Sequence, residues 1–159
     1  MIHDETTAPR GKILIPVSSF FNRQSLIRAL RVLAVLKDAS IVVFHIFEVP
    51  RRTTPLDPHI WDEDLKKAEK FLKPLVEWLG GQGYTVELKV VTARDSAEAI
   101  VTEANSGDYS VVLLLKRRMP RSWTRGLHRS ISERVIRDAN PPVLTLLAEQ
   151  ELAEKGDLD

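Results

Sequence analysis

The sequence predicts a doubly wound α/β domain, a five-stranded parallel sheet with helices on both faces. Three observations predict it. Five short apolar runs alternate with four segments whose apolar residues recur at helical spacing. Two of the helical segments open on capping boxes, Asp95-Ser96-Ala97-Glu98 and Ser130-Ile131-Ser132-Glu133. The run from Val111 to Leu115 is apolar at every position, as a strand covered on both faces requires.

The elements follow in order. Residues 1–10 are polar and residues 149–159 mostly acidic, so both are read as flexible tails of a domain spanning 11–148. Ile13 to Val17 is the first strand, and Pro16, which has no N–H to give a ladder, marks its carboxyl end. Leu26, Leu30, Leu33 and Ala34 mark a helix, and Ile41 to Phe47 a β-branched and aromatic second strand. Trp61, Leu65, Ala68, Leu72, Leu75 and Leu79 then form one long apolar stripe, which predicts a helix packed inward. Pro74 interrupts its hydrogen bonding and Gly80-Gly81 ends it, while Trp61, Phe71 and Trp78 are assigned to the core. Tyr84 to Val91 is a third strand, and the helix opened by Asp95 closes at Gly107. The helix opened by Ser130 turns Val135, Ile136 and Ala139 inward, and Val143 to Leu147 is the last strand. Spacing alone leaves the strand order open. In such folds ligands sit at the carboxyl ends of the strands, where the order reverses.

Composition narrows the function. Lys and Arg number 23 against 22 Asp and Glu, so no global field marks the chain for nucleic acid or a membrane surface. Cysteine is absent, which removes disulfides and thiol chemistry, and the four histidines are too scattered for a local metal-ligand pair. No metal site is expected. No apolar run reaches the roughly 20 residues of a membrane-spanning helix, and there is no signal-peptide pattern, so a cytoplasmic protein is expected. His45 alternates within an apolar strand and is read as a hydrogen-bonded structural histidine. Ser18 and Ser19 follow a strand end without the Gly-x-Ser-x-Gly elbow of a nucleophile. The acids from Asp57 to Glu69 alternate with Lys66, Lys67 and Lys70 and read as a salt-bridged solvent face.

Four pieces in order resemble the universal stress protein family over roughly residues 11–148. They are Lys12-Ile-Leu-Ile-Pro-Val17, Val43-Phe-His-Ile-Phe-Glu-Val49, Asp95-Ser-Ala-Glu-Ala-Ile100, and Arg129-Ser-Ile-Ser-Glu-Arg-Val135 with Pro142-Val-Leu-Thr-Leu146. The resemblance implies a Rossmann-like sheet of order 3-2-1-4-5 and a homodimer joined by the last strands. It also implies a nucleotide site, since many members bind ATP through Gly-x2-Gly-x9-Gly-Ser/Thr after the fourth strand. Glycine there lets backbone N–H groups approach phosphates, and the following helix N-terminus favours the anion. With Ser130 as the hydroxyl position, the glycine positions fall on Lys116, Met119 and Arg129, and no glycine lies between Gly107 and Gly126. Ser18 stands where ATP-binding members usually have Asp, whereas Pro16, Ile46 and Ser130 fit the apolar and hydroxyl parts of the site.

The segment from Lys116 to Arg129 carries six fixed cations and no acid. It reads first as a solvated loop whose arginine stems lie over apolar neighbours. The alternative is a small-anion or nucleotide site, with Mg-ATP or another adenine nucleotide as cofactor, in which side chains replace the glycine backbone. Nucleic acid is disfavoured by the balanced charge and the single aromatic, Trp123, and a docking surface for an acidic protein partner remains open. The preferred expectation is a non-enzymatic, dimeric regulatory protein with no cofactor; the alternative is an anion-binding module with slow ATPase activity. The dimer is expected through Val143, Leu144, Thr145, Leu146 and Leu147, because so apolar an edge strand is an aggregation hazard unless paired.

Overall fold

The computed structural model describes residues 11–17, 23–32, 38–50, 61–117 and 130–148. Among them, strands and helices alternate as β1 (Lys12–Val17), α1 (Arg23–Val32), β2 (Ser40–Glu48), α2 (Asp62–Gly81), β3 (Thr85–Ala93), α3 (Ser96–Ser106), β4 (Val111–Arg117), α4 (Ile131–Asp138) and β5 (Val143–Ala148). All four ladders are parallel and the order is β3-β2-β1-β4-β5, as the resemblance implies.

Alternation along the strands sorts the core into two layers. On one face Ile13, Ile15, Ile41, Val43 and Leu113 pack with Leu26 and Leu30 of α1 and Leu72, Leu75 and Leu79 of α2. On the other, Leu14, Val42, Phe44, Val112 and Leu114 pack with Ala97, Ile100 and Ala104 of α3 and Val135 of α4. Residues one apart in a strand therefore serve opposite layers, as the pleat requires. Three of the expected inward side chains do not behave alike. Trp61 is half-buried against Phe47, their ring centres 5.3 Å apart, and Trp78 is half-buried against the core. Phe71, however, is 55% exposed, so its assignment to the core is corrected. At 3.6 residues per turn it stands about 40° from Leu75 but about 100° from Leu72, at the margin of the stripe. Ile136 is likewise exposed rather than inward, since α4 turns Val135 and, four residues on, Ala139 to the core.

Helix ends follow local chemistry. Asp95 caps α3, accepting the Glu98 N–H at 3.0 Å, and Ser130 caps α4, accepting the Glu133 N–H at 3.3 Å. Acids in the first turn of α2, Asp62, Glu63 and Asp64, oppose its dipole. Gly80 and Gly81 lie within the last turn of α2; the left-handed residue after it is Gly83, at φ 94°. Gly107 does close α3, and a side chain there would collide with the Tyr109 ring.

Pro16 shapes the sheet more than its strand. β1 runs on to Val17, opposite His45 in β2. The Lys12 carbonyl accepts from Ser110, just before β4, and that of Gly11 from Ser40 of β2. Even-numbered backbone groups of β1 thus face β4, so the missing N–H of Pro16 is lost from the β1–β4 ladder. That ladder pairs Ile13 with Val111 and Leu14 with Val112 only, whereas β1 and β2 pair throughout. The ladder between the two halves of the sheet therefore ends short of the strands' carboxyl ends. The crevice where a doubly wound fold holds ligands lies at this end.

Candidate functional site at the carboxyl end of the sheet

The crevice collects side chains from five elements. By alternation Pro16 of β1, Ile46 and Glu48 of β2 and Lys116 of β4 share the face covered by α3 and α4. Ile46 packs on that core layer, and Lys116 is a half-buried residue of the β4 ladder, opposite Leu147. The helix N-termini of α3 and α4 abut this end through Asp95 and Ser130. Of the residues singled out from the sequence, Pro16, Ile46, Lys116 and Ser130 are thus placed at one end of the sheet. Ser18, Met119 and Arg129, with most of the basic segment, lie outside the described residues.

Two contacts there were not legible in the sequence. Arg134, in the first turns of α4, donates from one guanidinium nitrogen to both oxygens of Asp95, at 2.9 and 2.7 Å. Asp95 therefore caps its own helix and pins the neighbouring one. The Arg134 hydrogen bond, with that from the Glu98 amide, holds the Asp95 carboxyl below its ordinary range. Ser96 also donates to Glu48 at 2.7 Å, tying the start of α3 to the end of β2. Asp95 is visible as a cap because its partner is three residues away. Arg134 is 39 positions distant, and nothing local distinguishes it from any surface arginine.

On the other face, His45 Nδ1 lies 2.9 Å from the Val17 carbonyl. A carbonyl only accepts, so Nδ1 carries the proton, and His45 holds β1 to β2 beyond Pro16. The structural reading of His45 stands. At the far end of the sheet Glu103 accepts from Lys89 and Tyr109, both at 2.6 Å. Burial raises the Glu103 carboxyl, but these two hydrogen bonds outweigh it and the net direction is down. Burial, then Glu103 itself, pushes Tyr109 up, so it stays a neutral donor. Among the described residues no group of His, Asp and Glu is arranged to hold a metal ion.

This crevice belongs to a known architecture. The sequence profile of the universal stress protein family matches residues 9–146. The chain belongs to the universal stress protein family. Solved universal stress proteins share its fold. That of Archaeoglobus fulgidus, in complex with dAMP, is 21% identical with a TM-score of 0.61, over 86% of this chain and 98% of that one. UspA of Lactobacillus plantarum is 16% identical with a TM-score of 0.66, over 87% and 99%. A family member from Burkholderia pseudomallei is 20% identical with a TM-score of 0.61, over 87% and 96%. No curated protein matches the sequence.

Within this universal stress protein, Lys116 near the carboxyl end of β4 is a strand residue with a half-buried side chain. At the start of α4, the Glu133 amide is engaged by Ser130. Among the described residues, no helix is long and apolar enough to cross a membrane.

Proposed function

We propose that this universal stress protein is a cytoplasmic, non-enzymatic, dimeric regulator of the type that does not bind ATP. The observation that carries the reading is Lys116. A phosphate cradle needs backbone N–H groups approached without side chains, whereas Lys116, which the motif's spacing from Ser130 puts at the first glycine position, is a β4 ladder residue with a long cationic side chain. The sequence places Met119 and Arg129 at the other two glycine positions. Calorimetry is expected to give no heat of binding with Mg-ATP up to millimolar concentration, and no phosphate release above background. Micromolar Mg-ATP affinity overturns the reading.

A second reading is favoured by the six cations from Lys116 to Arg129. In it the side chains themselves bind an anion beside the capped N-terminus of α4, and a nucleotide is one such anion; a relative of the same fold is solved with dAMP. Binding would then be salt-sensitive and lost in Arg129→Ala. Under the first reading, titrations with sulfate, phosphate and ATP stay flat for wild type, Arg129→Ala and Arg129→Gly alike.

The dimer is assigned to the β5 edge. Leu144 and Leu146 pack on the α1/α2 core layer, so charging either would damage the fold as well as any interface. Leu147 alternates to the other face and is exposed in the single chain. Wild type is expected to sediment as a dimer at micromolar concentration. Leu147→Asp should weaken that dimer roughly tenfold or more, the effect of withdrawing one buried leucine, with little change in single-chain stability. A wild-type monomer at that concentration refutes the assignment.

A further inference from the structure

β3 is the opposite edge of the sheet, and among the described residues no strand pairs with its outer side. It is nine residues long. Such an edge offers a row of unpaired N–H and C=O groups, usually guarded by charge on the strand or by a covering element. β3 carries its charges, Glu87 and Lys89, on the α3 face, where Lys89 is bound to Glu103. On the α2 face it presents Val86, Leu88 and Val90.

Beside that edge lies a groove of about 500 Å³, lined by Lys66, Glu69, Lys70, Lys73, Val76 and Leu88. Among the described residues its lining comes from α2 and β3, with none from β2 or α1, which sets it at the β3 edge. Val76 and Leu88 form an apolar floor continuous with the core. Lys66, Lys70 and Lys73 recur at steps of four and three, which sets their ammonium groups in one row along the helix. Lys66 and Lys70 have no ion pair among the described residues, and Lys73 has only a loose, exposed one with Glu77 at 3.8 Å. Glu69 is the single carboxylate in the lining among the described residues.

We propose that this edge docks an extended acidic segment of a protein partner, added alongside β3. Three requirements meet in that occupant. The backbone edge asks for a strand, the floor for an apolar side chain at every second position, and the lysine row for carboxylates. An anionic small molecule would satisfy the last two but leave the strand edge unpaired. This inference is independent of the nucleotide question, since α2 and β3 contribute nothing to the crevice described above beyond the start of α3 that follows β3.

The test uses the full chain and a short capped peptide in which Glu and Val alternate. Saturable, salt-sensitive binding is expected, with slowed hydrogen exchange at backbone amides within 85–93. Reversing the row, Lys66→Glu with Lys70→Glu and Lys73→Glu, should weaken binding roughly tenfold or more. These exposed sites leave the fold intact, which an unchanged melting temperature checks. The same peptide N-methylated on the edge that would face β3 should lose binding although its side chains are unchanged. Four results overturn the proposal: no saturation at millimolar peptide, affinity indifferent to charge reversal, equal binding of the N-methylated peptide, or protection at β5 instead of β3. Protection of β3 that rises with protein concentration in the absence of peptide also overturns it, by making a second copy the occupant.

Discussion

Ile15→Ala is expected to lower the unfolding free energy by about 3 kcal/mol, while Phe71→Ala leaves it within about 0.5 kcal/mol. Ile15 is fully buried in β1, the middle strand, against leucines of α1 and α2. Its truncation leaves a cavity that flanking strands cannot close without breaking their ladders. Phe71 is the larger residue, yet more than half of its surface is already in water. Urea midpoints at fixed protein concentration measure both, provided the slope is unchanged and association is held constant. Equal losses at the two positions would contradict the packing described for α2.

Asp95→Ala is expected to cost about 2 kcal/mol, from losing a helix cap and from stranding a partly buried guanidinium. The larger share comes from Arg134, whose two hydrogen bonds end on this one carboxylate. In a double-mutant cycle, Asp95→Ala and Arg134→Ala together should cost less than the sum of the two. The pH dependence has a definite sign. Arg134 depresses the folded-state value of Asp95, so its contribution is fully present above the unfolded-state value, about 3.9. It is lost as the pH falls from there through the depressed folded value. Glu103 acts in the same direction. Stability should therefore fall steeply below about pH 4, and Asp95→Asn should flatten part of that fall while Glu103→Gln removes more. An acid limb unchanged in both variants would mean that neither carboxylate is held as described.

The sequence by itself determined what depends on neighbours along the chain. Apolar runs, helical spacing and capping boxes located every element, because each depends only on neighbours along the chain. Asp95 and Ser130 were legible as caps because a cap and its amide are three residues apart. The absence of glycine between Gly107 and Gly126 is also a property of the string. The marginal residues escaped. Whether Phe71 or Ile136 reaches the core depends on where a helix comes to rest on the sheet, and periodicity does not resolve a difference of one helical step.

Only the tertiary structure decided what joins distant residues. In the sequence Pro16 marks the end of a strand. Its effect instead falls on the β1–β4 ladder, because the parallel register turns its missing N–H toward β4 and not β2. The clamp of Arg134 on Asp95 exists because α3 and α4 cover the same face of the sheet, which no local pattern encodes. The α2/β3 groove has the same origin. Lys66, Lys70 and Lys73 look in the sequence like any solvated helix face. They become a row beside an apolar floor because α2 lies over an edge strand whose Leu88 completes that floor.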